Sequence, residues 1–407
     1  MASPDYPIRI GLEQALQIVG ERAARHRMPA ETIALASAHG RVLVEDIHAP
    51  HDLPPFANSA MDGFALRRAD LPVEGERAFT LVGNVFAGAT SAPQVASGEC
   101  VRITTGAPIP PGADTVVIKE NVRIADDRVS IKACEKSGDN VRPAGEDFSA
   151  GALALPEGTT LRAPQLAVLA SLGIAQVSVR RAPRAAVIVT GDELVPADRS
   201  LGFGQIHDSN GVMLAALLRE AGAQVVSHTH VRDEPDALRK ALLDAAAHAD
   251  LIVSSGGVST GETDYLPALL AELGEIHFHK VRLKPGMPTL FGQIGASLYF
   301  GLPGNPVSSA VTFFVFVRFA LGAMLAERVS AQPRRARLSE RVNKRHARAE
   351  LLRCTLHCDD EGVSWATPHA QQGSGMLRGF AKCNALALLP EDVHELHRAV
   401  VVTIWPY

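Results

Sequence analysis

Apolar and polar positions change rhythm repeatedly along the chain. Leu12, Leu16 and Val19 fall at helical spacing and predict an amphipathic helix over Leu12–Arg27. A second short helix is expected over Ala30–Ala36, and Gly40 leads into Arg41–Ile47, which alternates like a strand. The segment His51–Ala65 carries two prolines followed by Asn58, Ser59 and Asp62-Gly63, and reads as an ordered polar loop. The pattern then shortens to β segments at Phe79–Phe86, Cys100–Ile103, Thr115–Lys119 and Arg128–Ala133, so Leu71–Asn140 reads as a small β-rich insertion.

From Arg181 strands and helices alternate. Strands are expected at Ala185–Val189, Gln224–His230, Leu251–Ser254, His277–Leu283 and Ser297–Phe300. Helices are expected at Gly211–Ala221, capped by Ser209 or Asn210, then at Glu234–His248 and Tyr265–Leu273, with a long apolar helix after Pro306. This alternation predicts a parallel, doubly wound sheet with ligands beyond the strand carboxyl ends. Four polar loops fall on that edge: Thr190–Glu193, Ser254–Asp264, Lys284–Gly286 and Pro303–Ser308. The second is the most telling. A buried strand runs into Ser254-Ser-Gly-Gly, a loop whose backbone can approach an anion, and Thr263 and Asp264 are good caps for the helix that follows. Glu262 and Asp264 beside that loop suggest a cation with the anion. After Arg334 the pattern returns to β at Leu351–Leu356, Val363–Ala366, Ala385–Leu389 and Ala399–Ile404. Residues 327–336 read as a linker, and Gln371–Met376 as a polar loop able to reach a neighbouring site.

Composition narrows the classes. At 407 residues, 46% hydrophobic and 21% charged, the chain suits a folded multidomain protein. A formal charge of −4 gives no reason to expect nucleic acid or an anionic membrane as partner. Met1–Ile10 has no apolar core of the signal-peptide kind, and Arg318 interrupts the apolar run Ala310–Leu325, so a buried helix is expected there and not a membrane span. Five scattered cysteines suit a reducing cytoplasm. No Gly-x-Gly-x-x-Gly turn or P-loop is present, which sets aside dinucleotide binding. The pairs His228/His230 and His277/His279 each share a strand face, and exposed edge positions are favoured over a metal role.

Taken together, the motifs resemble one family. They are Pro55-Phe-Ala-Asn-Ser-Ala-Met-Asp-Gly-Phe-Ala, Arg102-Ile-Thr-Thr-Gly-Ala-Pro-Ile-Pro, Arg142-Pro-Ala-Gly-Glu-Asp, Thr190-Gly-Asp-Glu-Leu and Asp208-Ser-Asn. Ser254-Ser-Gly-Gly-Val-Ser-Thr-Gly-Glu-Thr-Asp-Tyr, Lys284-Pro-Gly and Gly301-Leu-Pro-Gly-Asn-Pro-Val-Ser complete the set. In this order the chain is similar to the molybdopterin molybdenumtransferases, relatives of the gephyrin E domain.

The resemblance implies an elongated α/β multidomain subunit. A helical and extended N-terminal linker domain would span 1–53 plus 148–180, and a β-rich inserted domain 54–147. A three-layer α/β domain with a mostly parallel doubly wound sheet would span 181–328, and a C-terminal β domain 329–407. It also implies a cytoplasmic homodimer that inserts molybdenum from molybdate into adenylylated molybdopterin and releases AMP, aided by Mg²⁺ or another divalent cation. The adenylylating enzyme and cofactor-receiving apoenzymes would be further partners, with no nucleic acid or membrane. By motif position, Asp250, Ser255, Gly256, Gly257, Ser259 and Asp264 would line the nucleotide and metal end, with Glu193, Asp208, Ser209 and Asn210 in the same pocket. Lys280, Lys284, Pro303, Gly304, Asn305, Pro306, Ser308, Arg348 and Ser374 would face the pterin phosphate and molybdate. Asp62, Thr104, Glu120, Arg142 and Asp147 would come from the partner subunit. Asp264, Asp250, Glu193, Asp62 and Asp147 are the expected catalytic carboxylates, and Asp264, Glu193 and Glu262 the cation ligands. Two other classes stay open: a gephyrin-like scaffold, and a molybdopterin adenylyltransferase.

One position departs from the family. Many relatives carry Lys-Pro-Gly-Lys-Pro where this chain has Lys284-Pro-Gly-Met287-Pro, so one cation is missing from the expected molybdate pocket, and Arg282 or Arg348 is left to supply it. Met287→Lys is expected to tighten molybdate binding, measured by calorimetry; an unchanged or weaker dissociation constant would refute that.

Overall fold

The computed structural model describes residues 6–133, 140–258, 264–327 and 334–407. The amino-terminal part opens with a short strand and the amphipathic helix α1 (Leu12–Arg25), whose Leu12, Ala15, Val19 and Ala23 are buried. The helix expected at Ala30–Ala36 is not formed. Ala30–Ala34 is instead a strand pairing antiparallel with Gln176–Arg180, followed by a 3₁₀ turn. The neighbouring strand overrides weak local helix propensity here. Arg41–Ile47 is mostly irregular, held by single bridges from Val42 to Thr160 and Leu43 to Val179. A second helix, α2, spans Ala163–Ser171.

Between these segments a six-stranded sheet is built from Gly63–Leu66, Glu76–Val85, Glu99–Ile103, Thr115–Ile118, Val122–Ala125 and Arg128–Lys132. His51–Ala65 is therefore not all loop: Gly63–Leu66 is fully buried and paired on both sides, and Asn58–Ser59 pairs with Val141–Arg142. The sequence conceals this because an Asp-Gly pair, usually a turn signal, opens the strand at Gly63.

The central sheet has seven strands: β1 (Ile8–Ile10), β2 (Arg184–Thr190), β3 (Gln224–Val231), β4 (Leu251–Ser255), β5 (Glu275–Val281), β6 (Leu290–Ile294) and β7 (Ser297–Leu302). Their order is β1-β5-β6-β7-β4-β2-β3, and β6 runs against its neighbours β5 and β7. Helices α3 (Asn210–Glu220), α4 (Pro235–His248), α5 (Leu266–Leu273) and α6 (Pro306–Leu325) accompany the sheet, the last containing a π-helical turn at Phe313–Val317. One hydrophobic cluster joins α1, α3 and α6 to one face, and another joins α4 and α5 to the opposite face. The interior strands β2, β4 and β7 are therefore buried on both faces, which explains their near-continuous apolar runs. By length and composition α6 could cross a membrane, but most of it is buried within the protein.

A barrel follows. Ala349–Cys358, Ser364–Pro368, Arg334–Leu338, Val401–Pro406 and Ala385–Leu389 form a ring, closed by pairing of the last with the first, and Leu283–Lys284 adds to Ala349–Cys358. The linker expected over 327–336 is thus cut short, because Arg334–Leu338 alternates and buries Ala336 and Leu338.

This topology overturns one site expectation. Asp250 stands just before β4, roughly 16 Å along the strand from Ser255, at the sheet edge opposite the expected site. Its carboxylate takes a 2.8 Å contact from Arg181 and a 2.7 Å bond from the Arg184 N–H. Burial opposes ionisation of Asp250, but Arg181 and Arg184 outweigh it and hold the carboxyl below its ordinary value of 3.8. Asp250 is thus a strut between strand ends. Its stabilisation is complete above the ordinary pKa and fades as pH falls through the depressed folded value. Asp250→Asn is expected to cost about 1–2 kcal/mol of stability near neutrality. That deficit should shrink toward about pH 3 in urea unfolding; a pH-independent deficit would show that the ion pair is not its cause.

Candidate functional site

The chain leaves β2, goes outward to β3, then returns to place β4 on the other side of β2. The crevice between oppositely directed connections therefore opens at the carboxyl ends of β2 and β4. A cleft of about 470 Å³ lies there, lined by Thr190, Gly191, Glu193, Asp208, Ser209, Asn210, Asp233, Ser255–Val258, Asp264, Pro288 and Pro303–Pro306, among others.

Its floor is a buried polar network. Asn210 Nδ2 donates to Ser255 Oγ at 2.8 Å and to the Gly304 carbonyl at 2.7 Å, and Ser255 Oγ also reaches the Pro303 carbonyl at 3.3 Å. These bonds fix the loop after β4, the start of α3 and the loop before α6 against each other. Gly256 adopts φ +98°, and a Cβ there would lie 2.6 Å from Thr190 Oγ1 and 2.7 Å from the Thr190 carbonyl. Only glycine allows the β2 and β4 loops to approach this closely.

The first turn of α3 is capped differently from expectation. Ser209 makes no side-chain cap; Asp208 Oδ1 accepts the Gly211 N–H at 2.8 Å, because its backbone places the carboxylate at the open end. Burial opposes ionisation of Asp208, but His228 and the Gly211 N–H win and hold its carboxyl below the usual range. The N-cap of α5 is Tyr265, not Asp264. Ser259, Glu262 and Thr263 lie outside the described residues.

The acidic rim holds one residue that the sequence did not reveal. Asp233, just beyond β3, is pushed above the usual carboxylate range by burial and then by repulsion from Asp192, Glu193 and Asp264, and its Oδ1 is buried without a hydrogen-bond partner. An Asp between a strand and Pro235 looks like an ordinary helix lead-in; only its place at the carboxyl edge could have marked it. Among the described residues no three carboxylate, imidazole or thiol groups stand together as a ready metal cage.

The basic groups lie to one side. Lys280 is at the carboxyl end of β5 with φ +67°, outside the cleft lining. Lys284 and Arg348 sit on the seam with the barrel: Lys284 Nζ is 2.9 Å from Glu350, and Arg348 Nη1 is 3.9 Å from Met287 Sδ. Arg282 is committed to Glu391 at 2.7 Å and to the Arg9 carbonyl, so Arg348 is the cation beside Met287. Ser308 is buried in the first turn of α6, where its carbonyl accepts from Thr312. The Ser374 carbonyl accepts the Val307 N–H at 3.0 Å, which brings the barrel loop onto the same helix end. Arg353, fully buried and missed in the sequence, shapes that loop by donating to the carbonyls of Gln371, Gly373 and Met376.

The remaining expected residues are elsewhere. None of the described residues lining the cleft comes from 54–147. Asp62 accepts from the Thr105 N–H and hydroxyl, Thr104 Oγ1 accepts the Ala87 N–H, Arg142 lies on the strand paired with Asn58–Ser59, and the Asp147 N–H bonds the Leu53 carbonyl. Glu120 sits in an exposed 3₁₀ turn. The histidine reading needs correction at one pair. His277 and His279 are buried, because β5 is an interior strand between β1 and β6. His230 braces the Gly191 carbonyl at 2.8 Å, and His228 lies 3.5 Å from Asp208.

A glycine loop at a switch point, rimmed by carboxylates, is the arrangement in which α/β proteins commonly bind phosphorylated ligands. Family comparison makes this specific. Residues 10–173 match the MoeA N-terminal region (domain I and II), 186–323 a domain described as "Probable molybdopterin binding domain", and 335–407 the MoeA C-terminal region (domain IV). The chain is 34% identical over 380 residues to the molybdopterin molybdenumtransferase of Haemophilus influenzae, covering 93% of this chain and 94% of that protein. It is 37% identical over 369 residues to that of Nostoc sp., covering 88% and 85%. Gephyrin of Dictyostelium discoideum is 32% identical over 443 residues, covering 96% of this chain and 61% of gephyrin. A crystal structure of the molybdopterin biosynthesis MoeA protein from Pyrococcus horikoshii superposes with a TM-score of 0.80 at 31% identity, covering 98% of this chain and 99% of that one. The chain belongs to the molybdopterin molybdenumtransferase family, enzymes of molybdenum cofactor biosynthesis.

Asn210→Ala would strand Ser255 Oγ and the Gly304 carbonyl without their shared donor. A loss of about 1–3 kcal/mol is expected, read as a lower thermal unfolding midpoint; an unchanged midpoint would show that the network does not hold the loops.

Proposed function

We propose that the protein inserts molybdenum from molybdate into adenylylated molybdopterin and releases AMP, with a divalent cation and as a homodimer. The observation that carries this reading is the joining of a glycine anion loop, an acidic rim and a basic seam around one sheet edge. The backbone of Ser255–Gly257 suits a phosphate, and the neighbouring carboxylates suit a cation held against it. Asp233 is raised first by burial and then by repulsion from Asp192, Glu193 and Asp264, and this gathering of carboxylates supports a reading with Mg²⁺ or a similar ion. Among the described residues Glu193, Asp233 and Asp264 line the cleft without forming a cage by themselves, so the ion would be shared between them and the phosphoryl oxygens, whose charge it would neutralise as the anhydride is cleaved.

Molybdate is a tetrahedral dianion, and Lys284 and Arg348 on the seam are suitable donors for it. A dithiolene brings its own sulfur ligands, and no described residue lining the cleft is a cysteine. Because no described residue of 54–147 lines the cleft of its own chain, Asp62, Thr104, Glu120, Arg142 and Asp147 would act from a second subunit. The four described cysteines are free, as suits a cytoplasmic protein, and hand-over to apoenzymes would follow.

The test is AMP release from adenylylated molybdopterin by the purified chain, with and without molybdate and Mg²⁺, beside Asp264→Asn. Release that requires both and is lost in the variant is expected. No release from folded dimer under any condition would overturn the reading in favour of a scaffold or carrier.

A further inference from the structure

The seam between the central sheet and the barrel holds a carboxylate that neither the motifs nor the cleft explain. Glu350 is 7% exposed, and Lys284 is its direct neighbour across the parallel pairing of Leu283–Lys284 with Ala349–Cys358. Lys284 Nζ lies 2.9 Å from Glu350 Oε1, and His346 Nε2 lies 3.2 Å from Oε2. His346 accepts the Arg348 N–H on Nδ1 at 3.3 Å, which leaves that nitrogen without a proton and the ring without a full charge. Lys344 is nearby, but its ammonium is spent on the carbonyls of Arg348, Pro390 and Glu391. Lys284 is therefore the one full positive charge in ion-pair contact with Glu350 among the described residues. Arg348 faces Met287 Sδ and has no carboxylate within ion-pair distance among them.

We propose that Glu350 is a built-in counterion that sets oxyanion affinity at this seam. A tetrahedral oxyanion takes the Lys284 ammonium from the Glu350 carboxylate, with Arg348 as the second cation. The inference rests on the molybdate-insertion reading above. Held against Glu350, Lys284 keeps a fixed position while the site is empty, and each binding event must break that pair. Affinity is thereby lowered, and lowered more for a dianion than for a monoanion, because the buried carboxylate stays close by.

Calorimetry with molybdate alone on the full chain tests this. Glu350→Gln keeps shape and hydrogen bonding but removes the charge, and should bind molybdate about tenfold tighter or more. The gain should be smaller for perrhenate, a tetrahedral monoanion; general loosening of the seam would move both equally. Unchanged or weaker molybdate binding by a variant that melts like wild type overturns the proposal, as does an equal gain for both anions. If Glu350→Gln does not fold, Glu350→Asp draws the charge back by one methylene, with an intermediate gain expected and no gain overturning the idea. Lys284→Ala separates the two readings. Wild-type binding that ignores this change, or no wild-type binding at all, sinks the molybdate reading itself. Binding lost in Lys284→Ala but unaltered in Glu350→Gln sinks the counterion role alone.

Discussion

Two hydrogen bonds from one amide group organise the cleft. Asn210 Nδ2 reaches Ser255 Oγ and the Gly304 carbonyl, so the ends of β4 and β7 and the start of α3 are set against each other from below. Loops at a strand edge carry many backbone groups that cannot pair with one another, and in isolation they would fluctuate. A buried donor satisfied twice removes that freedom, at the cost that losing it strands two acceptors at once. The Gly256 turn depends on the same restraint, since it can press against Thr190 only if Ser255 is held in place.

The barrel imposes the second restraint. Ser374 reaches α6 through a single carbonyl, and Arg353 holds the Ser374 loop in shape from inside the barrel wall. Farther along α6, Phe314 stacks on Tyr407, and Tyr407 stacks on Phe380 of the short helix α7 (Leu377–Lys382) that follows this loop. The loop is thus fixed to one helix at two places, through a cap at Val307 and an aromatic stack at Phe314. A barrel pinned at two points along a rigid rod cannot easily rotate about either, which keeps the basic seam in register with the cleft.

Much of this was legible in the sequence, and the failures have physical causes. The strands flanking the switch point were readable because burial on both faces makes apolar runs such as Ala185–Val189 and Leu251–Val253. Leu290–Ile294 was not, because Gly292 interrupts it: a Cβ there would lie 2.3 Å from the Glu275 carbonyl, so close packing suppresses the usual strand signal. Ile8–Ile10 is too short to signal anything alone; its pairing with β5 makes it a strand. Within the site, Ser255, Gly256 and Gly257 were readable from local chemistry. Asp250 was misplaced because neighbours in a motif can lie at opposite edges of a sheet once a strand runs between them. Asp233, Glu350 and Arg353 were invisible because each matters through partners distant in sequence.

The arrangement separates charge along the cleft. Carboxylates gather where β2, β3 and β4 end, while Lys284 and Arg348 stand outside the cleft lining, beside the backbone that pairs with the barrel. Were the two sets interleaved, they would neutralise each other in ion pairs, and neither a cation nor an oxyanion would gain much by entering. Distance keeps both sets available, and it has to come from architecture, since flexible charged side chains pair when they can reach. The sheet edge supplies one set and the barrel the other. On the seam Lys284 is paired with Glu350 and Arg282 with Glu391, so the local balance there is set by individual carboxylates and not by the net charge of the protein.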